Sequence, residues 1–307
     1  ILALSNMSDK FLQNLDEEQR AAASAIRGPV LIIAGAGTGK TRTITHRIAH
    51  AIESGVTEPS RTLALTFTAR AAAELRLRLA TLGFPGVQAH TFHSSAWRQL
   101  QFFWNEAIGG KPFRILSQKS EVIASALATV GRSKAGITIR DIATEIEWAK
   151  GQEIAPEDYL RMAQERARVA PNNLSLAEVA EVYRTYDELK QEAEQLDFED
   201  ILLLLVGILE EQNSIIDRVR AQYRFFTIDE YQDVSPLQQR LLDLWVGKRN
   251  DICVVGDPAQ TIYSFAGATS TFLLNFNKRF PSAQTFYLTR GYRSTPEIIR
   301  SANSILK

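Results

Sequence analysis

The feature that most restricts what this chain can become is the run Leu31-Ile32-Ile33-Ala34-Gly35-Ala36-Gly37-Thr38-Gly39-Lys40-Thr41. Its apolar start, 30–33, is introduced by Gly28-Pro29 and reads as a buried parallel strand. From Thr41 a helical period begins, with Ile44, Ile48 and Ile52 on one face. Between them lies a glycine-rich turn ending in Gly39-Lys40-Thr41. Strand, turn and helix N-terminus are the context that a phosphate-cradling loop requires. Gly35, Gly37 and Gly39 let backbone N–H groups converge on phosphate oxygens where side chains would obstruct them. Lys40 would reach the terminal phosphates, and the Thr41 hydroxyl would hold Mg²⁺. The first position of the pattern is Ala34 rather than glycine. The stretch predicts a nucleoside triphosphate as ligand.

Composition narrows the class. A chain of 307 residues can bury a large core and has room for two domains. Hydrophobic residues at 45% and charged residues at 23% are ordinary for a globular protein. Lys+Arg and Asp+Glu both number 35, so net charge exerts no global pull toward a polyanion, and any nucleic-acid contact must come from a local groove. The single cysteine, Cys253, excludes an internal disulfide, fits a reducing compartment and, inside an apolar run, reads as a small core residue. The longest apolar stretch, 201–209, is too short to span a bilayer. Residues 1–6 lack a basic leader region, and 1–7 read as a cloning scar ending at Met7. The expectation is a soluble, cytoplasmic protein.

Along the chain, 16–27 reads as a helix, with Asp16 as N-cap and Gln19 completing a capping box. Strands are predicted at 62–67 and 87–91, with an alanine-rich helix over 69–82 between them. No further strong strand is expected before Phe225. The intervening 113–196 is read as helical: Ile139, Ile142 and Ile146 keep helical spacing, Pro156 opens a helix, and Ser175 with Glu178 caps another. Strands then return at 225–228, 252–255 and 285–288. An α/β sheet interrupted by an all-helical insertion is the simplest account.

Two further stretches carry chemistry. In Phe225-Phe226-Thr227-Ile228-Asp229-Glu230-Tyr231-Gln232-Asp233, an acidic pair follows a buried strand and so reaches the C-terminal edge of the sheet, beside the phosphate loop. Asp229 would hold Mg²⁺ through its water shell, and Glu230 would orient and deprotonate the attacking water. A third strand leads into Gly256-Asp257-Pro258-Ala259-Gln260, where Gln260 could hydrogen-bond the γ-phosphate and sense its loss. Arg70, Arg76 and Arg78 read as a solvated helix face, with phosphate contact the lesser alternative.

These stretches occur in one order with Thr66-Phe67-Thr68-Ala69, His90-Thr91-Phe92-His93-Ser94, Asp197-Phe198-Glu199-Asp200 and Gly291-Tyr292-Arg293-Ser294. From Leu15 onward that order resembles the UvrD/Rep/PcrA branch of superfamily-one DNA helicases. The resemblance implies a RecA-like α/β fold, a parallel P-loop NTPase sheet flanked by helices, with an all-helical inserted subdomain. It implies ATP and Mg²⁺ as cofactors. Gln19 is then the adenine-reading glutamine, and the nucleotide-binding set is Ala34 to Thr41 with Arg42, Tyr292 and Arg293. By the same resemblance Arg293 is an arginine finger, a device worth ~10³–10⁵ in turnover, and Tyr292 stacks on the base. Phe67 and Phe265 match base-stacking positions, and Thr91, His93 and Tyr263 are further DNA contacts. Core packing is an equal reading for each Phe taken alone.

The chain departs from the family pattern at Ser264-Phe265-Ala266, where close relatives carry Arg-Trp-Arg. The implied division is motor domain 1A over 8–112 and 197–289, helical insertion 1B over 113–196, and the start of domain 2A over 290–307. Lacking most of 2A, this stretch alone is expected to bind nucleotide weakly and turn over poorly. The activity implied for the intact protein is ATP-driven 3′→5′ translocation on single-stranded DNA and unwinding at single/double-strand junctions, in repair or recombination. Alternatives are the motor half of a RecB- or AddA-like helicase–nuclease, and an ATP-gated DNA-binding module without unwinding activity. Intact Lys40, Glu230 and Arg293 argue against the latter. A P-loop kinase or GTPase would lack the Gln260 and Arg293 motifs.

Overall fold

Strand alternation decides the architecture. The computed structural model describes residues 9–132, 139–171, 174–261 and 267–292. The 1–7 segment, Tyr263, Ser264, Phe265, Ala266 and Arg293 lie outside the described residues. Strand β1 (Val30–Ala34) turns Val30, Ile32 and Ala34 into one apolar cluster and Leu31 into another, as period-two geometry demands. In β2 (Thr62–Thr66), Leu63 and Leu65 oppose Ala64 in the same way, and β3 (Gln88–Thr91) contributes Ala89. The short β4 (Arg114–Ile115) and β5 (Gln195–Leu196) form a separate parallel ladder. Then β6 (Phe225–Ile228), β7 (Ile252–Gly256) and β8 (Gln284–Leu288) complete the main sheet. Cys253 is fully buried on β7, as expected of a small core residue.

The six strands run in the order β3-β2-β6-β7-β1-β8, and every pairing is parallel. Successive strands β1 and β2 are therefore not neighbours: β7 and β6, from the far side of the helical region, lie between them. That insertion brings three strand ends together at one edge. β1 ends at the phosphate loop, β6 at Asp229, and β7 at Asp257.

Helices cover both faces, as a parallel sheet requires. On one face lie α1 (Glu17–Ser24), α2 (Lys40–Glu53) and α3 (Ala69–Thr81), supplying Ala22, Ile44, Ile48, Leu75 and Leu79 to the cluster around Val30 and Ile32. Fully burying a side chain such as Ile44 contributes about 1.5–3 kcal/mol. After α4 (Phe92–Ala107), which packs on the opposite face, comes a helical group: α5 (Lys119–Thr129), α6 (Ile139–Gly151), α7 (Pro156–Glu165) and α8 (Leu176–Glu192). These four helices pack around their own apolar cluster, centred on Ile123, Ile146, Tyr159, Val179 and Tyr186. Then α9 (Phe198–Glu211), α10 (Asn213–Gln222) and α11 (Pro236–Val246) return to the sheet and bury Leu205, Ile215 and Trp245 beside Phe92 of α4.

Three local expectations need correction. The helix expected over 16–27 ends at Ser24, because Ala25 leaves the helical region at ψ 76. Its capping box is half made. Asp16 accepts from the Gln19 N–H, but the Gln19 side chain turns away to another partner. Finally, β4 and β5 lie where no strong strand is expected. A two-residue ladder is too short to show alternation in sequence, and backbone bonds such as Leu116 N to the Leu196 carbonyl, 2.8 Å, hold it. The box read at Ser175 and Glu178 is present in both directions.

Candidate nucleotide site and adjoining surface

The phosphate loop is held by its own backbone and by Gln19. Gly37 and Gly39 take φ values of +74° and +86°, which a side chain would resist. Thr38 Oγ1 donates to the Gly35 carbonyl at 2.9 Å, closing the turn. Gln19 is buried, and its Nε2 donates to the Thr38 carbonyl at 3.0 Å, which ties α1 to the loop. Ala34 is buried in β1 as the last strand residue. Lys40 is the first residue of α2, so the loop ends against the positive pole of that helix.

Across a cleft of 470 Å³ the loop meets the ends of β6 and β7. Ala36, Gly37, Gly39, Lys40, Thr41 and Arg42 line one side, with Glu230, Gln260 and Tyr292 among the other lining residues. Lys40 Nζ lies 3.4 Å from Glu230 Oε2, joining residues far apart in sequence. Glu230 sits in left-handed backbone at φ 52, uncommon outside glycine, and its N–H donates to Asp229 Oδ1 at 3.0 Å. The Glu230 carboxylate thereby faces the cleft while Asp229 stays behind it, 9% exposed. Burial, then the adjacent Glu230 charge, pushes the Asp229 carboxyl up to about 7, with Lys40 opposing. A buried carboxylate short of positive charge fits a hard divalent cation that takes its remaining oxygens from phosphates and water. Among the described residues no group of three or more His, Cys, Asp or Glu could hold a metal alone.

Gln260 points at Asp257, donating from Nε2 to Oδ2 at 2.5 Å. Tyr292 arrives by a different route. Its N–H donates to the Gly37 carbonyl at 2.8 Å, and its hydroxyl donates to Asp16. The turn after β8 is pinned by Glu18, which accepts from the Thr289 N–H and hydroxyl, both at 2.6 Å.

Of the residues expected to meet DNA, Phe67, Thr91 and His93 lie at or just after the ends of β2 and β3. Phe67 follows β2 and His93 is the second residue of α4; both line a cavity of 120 Å³ with Glu147, Glu199 and Ser235. The Thr91 side chain is already engaged, accepting from the Ser94 N–H at 3.1 Å as the α4 N-cap. His93 packs edge-on against Phe198, and its Nε2 is buried without a hydrogen-bond partner among the described residues. Burial drives its pKa down to about 4, so the ring is neutral at pH 7.

Some participants do not stand out in sequence. Glu74 and Arg78 form a 2.7 Å pair on α3 and line the same cleft as Lys40, so Arg78 is more than part of a solvated face. Their i,i+4 spacing is the one visible signal. Gln232, inside the acidic stretch, is 1% exposed and bonds to two loops.

The described residues include no helix long and apolar enough to cross a membrane. The family model of the UvrD/REP helicase N-terminal domain matches residues 15–281. The ATP-dependent DNA helicase UvrD2 of Mycobacterium tuberculosis is 45% identical over 314 residues, covering 99% of this chain and 45% of its own length. The ATP-dependent DNA helicase PcrA of Leuconostoc citreum is 34% identical, covering 98% of this chain and 40% of its own length. PcrA of Bacillus subtilis is 30% identical over 99% of this chain and 41% of its own. The chain thus spans less than half the length of each of these relatives.

Proposed function

The chain belongs to the UvrD/REP helicase family, and on that premise we propose that it carries the ATP-hydrolysing half of a single-stranded DNA translocase and helicase. The observation that carries this reading is the meeting of Lys40 and Glu230 across one cleft, with Gln260 at its rim. Lys40 binds the terminal phosphates. Glu230 holds the attacking water and takes its proton, and Gln260 contacts the γ-phosphate. Thr41 and Asp229 hold Mg²⁺, which neutralises phosphate charge when bound. Gln19 reads adenine, Arg42 and Tyr292 flank the base, and Arg293 reaches the γ-phosphate from the second motor domain.

The same reading makes 8–112 and 197–289 the first motor domain, 113–196 its helical insertion and 290–307 the opening of the second. DNA runs over Phe67, Thr91, His93, Tyr263 and Phe265, gripped by stacking rather than by sequence. ATP closes the two motor domains and hydrolysis reopens them, moving the strand 3′→5′ and opening single/double-strand junctions. Closure follows from the higher affinity of the closed state for the triphosphate. Repair or recombination in the cytoplasm, on nucleoid DNA, is the setting this chemistry suits.

The deciding experiment is steady-state ATPase of the full-length protein with and without a single-stranded oligonucleotide. Strong stimulation that vanishes in Lys40→Ala is the expected result. A rate indifferent to DNA would overturn the translocase reading and leave an ATP-gated binding module.

A further inference from the structure

We propose that Gln232 is a positioning residue that ties the hydrolytic base to the phosphate-sensing loop. The proposal rests on the roles assigned above to Glu230 and Gln260. Gln232 is almost wholly buried between the ends of β6 and β7, and its amide is used at both ends. Nε2 donates to Glu230 Oε2 at 2.8 Å, and Oε1 accepts from the Asp257 N–H at 3.0 Å. Asp257 Oδ2 in turn accepts from Gln260 Nε2 at 2.5 Å. A continuous chain of hydrogen bonds therefore runs from Glu230 through Gln232 and Asp257 to Gln260.

The seat for this amide is built into β7. A Cβ at Gly256 would lie 2.5 Å from Gln232 Oε1, 3.3 Å from the Gln232 backbone nitrogen and 3.0 Å from Leu273 Cδ2. Glycine at the strand end is what lets the amide oxygen reach the Asp257 N–H.

The arrangement divides the labour of the Glu230 carboxylate. Oε2 is held by Gln232, with Lys40 3.4 Å away, whereas Oε1 has no hydrogen bond to protein among the described residues. One oxygen is anchored and the other is left to orient water. When the γ-phosphate draws Gln260 away from Asp257, it acts on the loop whose N–H anchors Gln232. The placement of the base thus depends on whether phosphate is sensed, through contiguous hydrogen bonds. Gln232 touches neither substrate nor water in this scheme; it acts through Glu230.

The test compares Gln232→Met and Gln232→Glu in the full-length protein. Methionine fills the volume but neither donates nor accepts. Glutamate keeps the acceptor for Asp257 and loses the donor to Glu230. Both should lower DNA-stimulated kcat substantially, toward the 10²-fold that about 1 Å of misplacement can cost, while Kd for a fluorescent ATP analogue stays within about twofold. The kcat losses of Gln232→Met and Gln260→Ala should not multiply in the double variant, since both act along one chain. An unchanged kcat, a parallel loss of kcat and affinity, or losses that multiply would each overturn the proposal. A shared drop in melting temperature with equal loss of binding would make Gln232 structural only. A Glu230→Gln protein that still hydrolyses ATP would remove the underlying catalytic reading. A dead Glu230→Gln alongside an unimpaired Gln232→Met would remove only this inference.

Discussion

Gln19 Nε2 donates to the Thr38 carbonyl at 3.0 Å and occupies the space where a side chain on Gly39 would go. Two constraints therefore meet at Gly39: a left-handed φ of +86° and a close neighbour. Gly39→Ala should lose about 1–2 kcal/mol from backbone strain, with a further loss from displacing Gln19. The double variant Gly39→Ala/Gln19→Ala should recover the second part and not the first. Denaturation midpoints of the unsubstituted protein, Gly39→Ala, Gln19→Ala and the double variant check this. Full recovery in the double variant would mean that backbone strain is negligible.

Glu230→Gln should abolish hydrolysis while leaving ATP affinity nearly intact, because the amide keeps the volume but cannot take a proton. Single-turnover ATPase beside equilibrium nucleotide binding separates the two effects. Equal loss of both would take Glu230 out of the catalytic role.

Much of this site is legible in sequence because its chemistry is local. The phosphate loop is a contiguous strand, turn and helix, and the acidic pair directly follows a buried strand. The sheet order is not legible in the same way. That β7 and β6 separate β1 from β2 depends on pairings such as Val30 with Cys253, which no local period encodes. Gln232 reads as one polar residue in an acidic stretch, and its role depends on a partner 25 residues away. Lys150, near the end of α6, is buried among carboxylates, the nearest in sequence on another helix, a meeting that no local period encodes.

Phe67→Ala should weaken single-strand binding by ~1–3 kcal/mol if the ring stacks on a base. The slope of log K against log salt should stay the same, since stacking releases no counterions. Fluorescence anisotropy at several salt concentrations measures both. Unchanged affinity would assign Phe67 to the cavity it shares with His93 and to nothing else.

His93 should make the fold sensitive to acid. Burial, with Lys119 adding and Asp197 opposing, lowers its pKa from 6.5 to about 4. The unfolded chain takes up a proton as pH falls through 6.5, while the folded chain resists until about 4. The stability that the neutral ring contributes is present above 6.5 and is lost as pH falls toward 4. His93→Gln should therefore flatten the decline of the urea midpoint over that window. A slope unchanged from the unsubstituted protein would place the acid sensitivity elsewhere, His90 being the next candidate because it too is lowered to about 4, first by burial.

Lys150 offers the sharpest test of how the helical group is joined to the rest. Its Nζ lies 2.9 Å from Asp197, 2.5 Å from Asp200 and 3.0 Å from Asp187, and it is 1% exposed. Burial alone would lower its pKa, but Asp197, Asp200 and Asp187 carry it well above 10.5. A raised lysine contributes its stability below the unfolded value, so the effect is fully present at neutral pH. Lys150→Met strands buried carboxylates and should cost about 3–5 kcal/mol, toward the lower end because Lys190 also reaches Asp197 at 3.1 Å. Lys190→Met should cost a similar amount, and the double variant more than the sum, since each lysine shields the carboxylates from the loss of the other. Chemical denaturation at pH 7 measures all three. A single-variant loss below about 1 kcal/mol would show that the cluster is wet and screened, as surface ion pairs are.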